Sequence, residues 1–99
     1  MPAYVVVDID ITDPVTYETY RGLAPATVAA YGGKYLARGG AAETLEGTWA
    51  PTRLVILEFP SVEQAKAWID SPEYGPVKRL RHAAANSQMV VIAGVIPSQ

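Results

Sequence analysis

Alternating apolar and polar positions mark the beginning of the chain as a β-strand. In the range 4–11 every odd position is apolar, whereas the even positions include Asp8 and Asp10. Successive side chains of a strand point to opposite faces of a sheet. The pattern therefore predicts a strand with one wholly apolar face and with both carboxylates on the other face.

The spacing of apolar residues becomes helical after Thr12. Asp13 is predicted as the N-cap and Pro14 as a residue of the first turn, where its missing N–H costs nothing. Gly32 is predicted to end the helix, because glycine tolerates a left-handed backbone. Pro25 lies inside the pattern, which leaves open whether the helix is kinked or split there. The predicted inward stripe is Tyr17, Tyr20, Ala24, Val28 and Tyr31.

A second alternating segment is framed by glycines. The range 33–40 predicts a short strand with Tyr35 on one face and with Leu36 and Arg38 on the other. The range 40–51 is predicted to be a loop. Loops of this length in small domains are often functional, so this one is expected to act as a lid or as a dimer contact.

Two strands and two helix starts are predicted in the second half. The range 53–59 predicts the third strand, and Ser61 begins a helix with a capping box. A second cap signal at 71–73 begins another helix that ends near Asn86. The range 89–95 predicts the last strand, and a short tail follows. The positions predicted to face inward on these helices are Val62, Ala65, Trp68, Ile69, Tyr74, Val77, Leu80, Arg81 and Ala84.

The order of elements predicts an α+β fold of the ferredoxin-like type. The order strand, helix, strand, strand, helix, strand makes a four-stranded antiparallel sheet with its helices on one face, in a single domain over residues 1–99. The uncovered face is strongly apolar, and its burial would favour association. We therefore predict a homodimer whose two sheets pack face to face. The apolar residues predicted for that face are Val6, Leu36, Leu54, Ile56, Val90 and Ile92.

The amino-acid composition and the net charge argue against several kinds of binding partner. The chain has 99 residues, a net charge of -2 and no cysteine, and its longest basic cluster is 78–81. No broad basic face is available for phosphates, so nucleic acid is not expected as a partner. The apolar runs are too short to span a membrane, and the single histidine with scattered carboxylates lacks the spacing of a metal site. We expect a cytoplasmic protein without a metal or other cofactor.

A series of short motifs follows nearly the whole chain. They are Asp13-Pro14 with Tyr17 and Tyr20, Tyr31-Gly32-Gly33, Arg38-Gly39-Gly40, Glu46-Gly47, Glu58-Phe59-Pro60-Ser61, Ala65 with Trp68, Ser71-Pro72-Glu73-Tyr74, and Arg81. In order and spacing these motifs resemble the family catalogued as domain of unknown function 1330, within the dimeric α/β-barrel superfamily. The resemblance implies the ferredoxin-like fold and a barrel-shaped dimer but no agreed activity. Other families of the superfamily include cofactor-free monooxygenases, lactone isomerases and haem-binding enzymes.

The alternation of side chains along the predicted strands brings candidate catalytic groups together on one face of the sheet. It places Asp8, Arg38 and Glu58 on the face turned away from the helices. In one interpretation they form a pocket in which Arg38 clamps an oxygen anion and Glu58 or Asp8 moves a proton. In the other, Arg38 forms only an internal ion pair with a carboxylate. An enclosed void beside Arg38 would favour the pocket, and close packing of Arg38 on Glu58 would favour the ion pair.

Further candidates for binding a ligand lie on the helices and in the loop. Tyr20 and Tyr74 are predicted to line a pocket, with sheet-edge carboxylates as partners of their phenols. Arg81 lies on an inward stripe, and Glu46 lies in the predicted lid. His82 is expected at the surface, because adjacent helix positions diverge by about 100°.

Two functional hypotheses follow from these residues. The first is a protein that binds a small anionic or oxygenated organic compound and, if it is an enzyme, acts by proton transfer or cofactor-independent oxidation. The second is a non-catalytic dimeric binding or structural module whose inward charges pair only with one another. A haem enzyme is a distant third.

Overall fold

The computed structural model describes residues 1–95, so the predicted tail Pro97–Gln99 lies outside the described residues. The elements in chain order are β1 (Ala3–Ile11), α1 (Pro14–Ala30), β2 (Lys34–Arg38), β3 (Leu54–Phe59), α2 (Val62–Ile69), α3 (Gly75–Ala84) and β4 (Ala85–Ala93). The prediction of a ferredoxin-like α+β fold is confirmed. None of the described helices is long and apolar enough to cross a membrane.

One antiparallel sheet and one layer of helices make up the domain. The strand order is β2-β3-β1-β4, so β1 and β3 are central and β2 and β4 are edges. The Cα atoms extend over 45 × 38 × 16 Å, and the short dimension leaves room for two layers only. The opposite face of the sheet, called the open face below, carries no helix of the described chain.

The core lies between the sheet and the helices. The odd positions of β1 are buried, as alternation predicts, and Trp68 of α2 is 1% exposed at the centre of the layer. Its ring lies 5.3 Å from the ring of Phe59 and 4.2 Å from that of Tyr74. The indole Nε1 donates a 3.1 Å hydrogen bond to Thr27 Oγ1, so the polar atom of this buried side chain is satisfied.

Two of the three predicted helix starts, at Asp13 and Ser61, are confirmed, whereas α3 begins at Gly75 and not at the predicted cap of residues 71–73. The Asp13 side chain accepts a hydrogen bond from Thr16 N at 3.2 Å, and the Ser61 hydroxyl accepts one from Gln64 N at 3.0 Å. α1 continues through Pro25 without splitting. These caps fix where α1 and α2 leave the sheet.

β4 begins four residues earlier than the sequence predicts. Ala85 is already extended, with φ -158° and ψ 155°, so α3 enters β4 without a turn. The Ala84 carbonyl accepts hydrogen bonds from Thr12 N at 2.8 Å and Asp13 N at 2.9 Å, which ties this junction to the end of β1. Asn86 and Ser87 therefore belong to the strand. Their polar side chains gave no strand signal.

A β-bulge in β2 overturns one parity prediction. Tyr35 is paired with Leu57, but the next paired residue, Ala37, is opposite Ile56, so Leu36 is the extra residue. Beyond a bulge the two faces exchange. Arg38 is consequently opposite the buried Val55 and lies on the helix side of the sheet, so its predicted place on the open face is wrong.

Gly33→Ala is expected to destabilise the fold by about 1–3 kcal/mol through overpacking. A Cβ at Gly33 would lie 2.7 Å from Cε1 of Phe59 and 2.8 Å from Cγ1 of Val28, and both atoms belong to the core. The control is Gly40→Ala, since a Cβ there meets no atom within 4 Å. Urea unfolding of both variants checks this, and equal stabilities would contradict the packing described here.

Candidate functional site

Arg38 has no ligand-sized space beside it. Its Nη2 donates a 2.7 Å hydrogen bond to the Arg21 carbonyl, and its guanidinium lies 4.6 Å from the centre of the Tyr35 ring. The adjoining cavity, between these residues and Tyr17, measures about 20 Å³. That space suits one water molecule.

Glu58 has a different partner from the one predicted. It lies on the open face, and its carboxylate is 3.3 Å from the Lys34 ammonium on the neighbouring strand. Arg38 is on the other side of the sheet. Neither the predicted pocket of Arg38 and Glu58 nor their predicted ion pair is formed, so no step that uses both residues is proposed.

Asp8 anchors the loop between β2 and β3. Its Oδ1 accepts hydrogen bonds from Thr52 N at 2.9 Å and Arg53 N at 3.2 Å, and its Oδ2 accepts one from Trp49 Nε1 at 3.3 Å. Glu46 is exposed in the same loop. The structure therefore gives Asp8 a structural role and places Glu46 apart from the other candidates.

A cleft of about 680 Å³ lies between α2, α3 and the free edge of β4. Four basic side chains line it, and no carboxylate of the described residues does. We call it the cationic cleft. Its basic residues are Lys66, Lys78, Arg81 and His82.

Arg81 is the buried cation of this cleft. It is 4% exposed, its Nε donates a 3.3 Å hydrogen bond to Tyr74 Oη, and its Nη1 donates to Ser87 Oγ. Its Nη2 has no hydrogen-bond partner in residues 1–95. Every buried side-chain nitrogen or oxygen of these residues does have a partner, so Nη2 is not fully buried. The small exposed part of Arg81 thus includes Nη2, which is available to the cleft. The ion pairs of residues 1–95 are Arg21–Glu18, Lys34–Glu58 and Lys78–Asp70, so Arg81 has no carboxylate partner among these residues.

A hydrogen-bonded pair of tyrosines, Tyr20 and Tyr74, lies next to Arg81. Tyr20 Oη and Tyr74 Oη are 2.8 Å apart and both rings are buried. Burial raises the pKa of Tyr20, and the neighbouring Tyr74 raises it further, so Tyr20 keeps its proton. Tyr20, Tyr74 and Arg81 face inward, as helical spacing predicts, but neither tyrosine lines the cationic cleft, whereas both were predicted to line a pocket. Their predicted carboxylate partners are wrong, because the two phenols bond to each other and Tyr74 also accepts a hydrogen bond from Arg81.

The other cations of the cleft are only weakly neutralised. Lys78 Nζ donates a 2.8 Å hydrogen bond to the Ile69 carbonyl, but its nearest carboxylate, Asp70, is 4.0 Å away and largely exposed. Exposed ion pairs of this kind contribute little. The positive potential of the cleft therefore persists, and it favours an anion.

His82 is exposed, as predicted, but it also lines the cleft, a position that the sequence analysis did not favour. Partial burial lowers the pKa of His82 below its ordinary value of 6.5, and the charges of Arg81 and Lys78 lower it further. The imidazole is thus neutral at neutral pH and can accept a proton there.

The lowered pKa of His82 predicts a pH effect on stability. The unfolded chain binds this proton more readily than the folded chain does. The contribution of His82 to the free energy of unfolding is therefore complete above pH 6.5 and is lost as the pH falls through the folded-state pKa. His82→Gln is expected to lose less stability than wild type between about pH 7 and pH 5. Urea unfolding across this range measures the difference, and parallel profiles would contradict the lowered pKa.

Sequence reasoning missed most of the cleft. Lys66, Lys78 and Ser87 lie on three elements that converge only in the folded chain. One signal was present: Arg81 was predicted to face inward, and the positions one turn away on either side, Val77 and Ala85, are not acidic. A buried arginine without an acid one turn away on its own helix indicates a partner from elsewhere.

The fold and this cleft define a small α+β domain with an anion-attracting pocket, and comparisons with known proteins place it in a family. The profile of the family described as a domain of unknown function, DUF1330, matches residues 2–95. The chain therefore belongs to the DUF1330 family. A search of curated proteins found no match.

Several solved structures share the fold at low sequence identity. A protein of unknown function from Rhodopseudomonas palustris is 21% identical with a TM-score of 0.74, over 97% of this chain and 84% of that one. A cofactor-independent oxygenase from Streptomyces nogalater is 12% identical with a TM-score of 0.65, over 96% and 94% of the two chains. A dimeric protein of unknown function from Bacteroides fragilis is 13% identical with a TM-score of 0.58, over 94% and 96%. At these identities the likeness shows the fold alone.

Proposed function

We propose that this protein binds a small organic anion in the cationic cleft. The observation that carries the proposal is Arg81, a buried guanidinium with a free Nη2 in the cleft and no carboxylate partner in the described chain. A buried cation without a counter-ion costs several kcal/mol. Tyr74 and Ser87 accept its hydrogen bonds but carry no charge, so a ligand carboxylate or phenolate would supply the missing anion.

The apolar side of the cleft indicates the rest of the ligand. Val5, Trp68, Met89 and Val91 line it beside the cations. Ligand sites commonly combine such apolar walls with a few polar groups that fix orientation. A compound with one negative group and a flat apolar body, such as an aryl carboxylate, matches both parts.

The proposal extends to a catalytic role for the cationic cleft. His82 is the group at the cleft that can accept a proton near neutral pH, so it, and not Glu58, is the candidate base. The oxygenase from Streptomyces nogalater supports cofactor-independent oxidation only through its shared fold. The alternative is a binding module without turnover, and it is favoured by the lack of any carboxylate among the described lining residues.

The proposal includes a homodimer that buries the open face. Val90 and Ile92 are 62% and 60% exposed on β4, and Leu36 is 50% exposed on β2. The dimeric protein from Bacteroides fragilis supports this assembly by analogy. An isologous contact between two open faces would cover these residues on both protomers.

Ile92→Asp is expected to give a monomer, because it places a charge within the proposed apolar contact. Val15→Asp is the matched control, since Val15 is 81% exposed on α1, in the helix layer. Analytical ultracentrifugation distinguishes the two. A wild-type monomer, or a dimer in the Ile92→Asp variant, would contradict the open face as the interface.

A thermal-shift screen tests the binding proposal. Benzoate, 4-hydroxybenzoate and phenylacetate are compared with benzamide, which has the same ring without the charge. A ligand at a hundredfold over its dissociation constant stabilises by about 2.7 kcal/mol, or at least about 10 °C for a domain of this size. We expect shifts from the carboxylates and none from benzamide. Equal shifts from both, or none from any organic anion, would contradict the proposal.

A further inference from the structure

The loop that joins β2 to β3 is exposed along nearly its whole length. We call residues 40–51 the acidic loop, because it contains Glu43 and Glu46 and no basic residue. Residues 40–50 are all exposed, and they include Leu45 at 95% and Trp49 at 61%. Large apolar side chains so exposed on one loop indicate a contact surface.

The acidic loop is nevertheless held in place. Asp8 binds its C-terminal end through Trp49 Nε1 and Thr52 N, and Thr44 Oγ1 donates a 2.7 Å hydrogen bond to the Trp49 carbonyl. Asp8 lies at an even position of β1, on the open face. The cations of the protomer's own cleft project from the helix side, near the far edge strand β4. The anchored end of the loop therefore lies on the opposite face of the sheet from Lys66 and Lys78 of its own cleft.

The cationic cleft extends around the edge of β4 to the open face. Asn86 and Val90 line it, and their register partners on β1 are Asp10 and Val6, which occupy the same face as Asp8. A second copy packed on the open face would thus meet the mouth of the cleft. The exposed Lys66 lies on the helix side of that mouth.

We infer that the acidic loop of each protomer closes the cationic cleft of the other, with Glu43 and Glu46 facing Lys66 and Lys78. The occupant is a second copy of this chain, chosen because its loop is acidic where the cleft is basic. Two-fold symmetry makes the contact twice in each dimer. Arg81, which lies deeper, stays free for the ligand. The inference rests on the dimer and the cleft of the proposed function.

Isotope-mixed cross-linking of the wild-type protein tests the contact. Unlabelled and ¹⁵N-labelled chains are mixed, allowed to exchange and treated with a carbodiimide that joins carboxylates directly to lysines. For a contact between protomers, about half of the cross-linked peptide pairs carry one labelled and one unlabelled peptide, because random pairing of two chains gives that fraction. We expect such pairs between the acidic loop and Lys66 or Lys78.

Engineered cysteines give an independent readout in this cysteine-free chain. The double variant Glu46→Cys with Lys66→Cys is expected to form a disulfide-linked dimer on oxidation. Neither single variant should form one. The control double variant, Glu46→Cys with Glu18→Cys on α1, should not form one either. Sedimentation separates the possible failures. If the wild type is a monomer, the proposed dimer fails together with this inference. If it is a dimer whose loop cross-links stay within one chain or never reach the cleft lysines, this inference alone is overturned.

Discussion

Arg81→Met is expected to abolish binding of an organic anion while leaving the unliganded protein about as stable as wild type. Arg81 is 4% exposed, and its hydrogen-bond partners within residues 1–95, Tyr74 and Ser87, are uncharged. Methionine fills a similar volume without a charge, and replacing a buried ion by an apolar residue is often neutral or stabilising. Tyr74 keeps its hydrogen bond to Tyr20, and Ser87 lines a cleft that water reaches.

The loss of affinity should be large. Removing one partner of a buried charged contact costs about 2–5 kcal/mol, which corresponds to a loss of at least about 30-fold. Titration of both proteins with 4-hydroxybenzoate measures it, and Arg79→Met is the control because Arg79 is an exposed neighbour on the same helix. If Arg81→Met unfolded far more easily than wild type and bound the anion equally well, Arg81 would be a structural residue and the proposed site would be wrong.

Trp68→Ala is expected to cause the largest loss of stability of any substitution considered, about 3–5 kcal/mol. The indole is 1% exposed, packs on Phe59 and Tyr74, and holds a hydrogen bond to Thr27. Small domains have only about 5–15 kcal/mol in total. The midpoint of thermal unfolding should fall by at least about 12 °C, because 1 kcal/mol shifts it by about 4–8 °C at this size.

Trp49→Ala is the matched control, because it removes the same side chain from the acidic loop, where it is 61% exposed. Its cost to the isolated domain should be small and limited to the hydrogen bond with Asp8. Differential scanning calorimetry at one protein concentration compares the two variants. A smaller loss for Trp68→Ala than for Trp49→Ala would contradict the described core.

Where local rules decide the structure, the sequence was sufficient. Alternation in β1 predicted its buried and open faces, and the side chains of Asp13 and Ser61 start α1 and α2 where hydrogen-bonding caps were expected. Arg81 was predicted to face inward from helical spacing alone, and it does. In each case the outcome depends on neighbours within one or two turns of chain.

The predictions failed where one residue of register decides the outcome. The bulge at Leu36 moves Arg38 to the helix side, and alternation cannot reveal it because Leu36 fits either pattern. A site built on Arg38 and Glu58 was lost through that single shift. The cationic cleft was missed for another reason: Lys66 on α2 and Ser87 on β4 meet Arg81 only after the helices pack on the sheet.

A crystal structure of the complex with 4-bromobenzoate would show where an organic anion binds, because bromine can be located by its anomalous scattering. We expect a carboxylate oxygen within about 3 Å of Arg81 Nη2, a charge-assisted hydrogen bond, and the bromine against Trp68 and Met89. Bromine bound instead beside Arg38, or on the open face near Lys34, with the cationic cleft empty, would contradict the assignment of this cleft as the binding site.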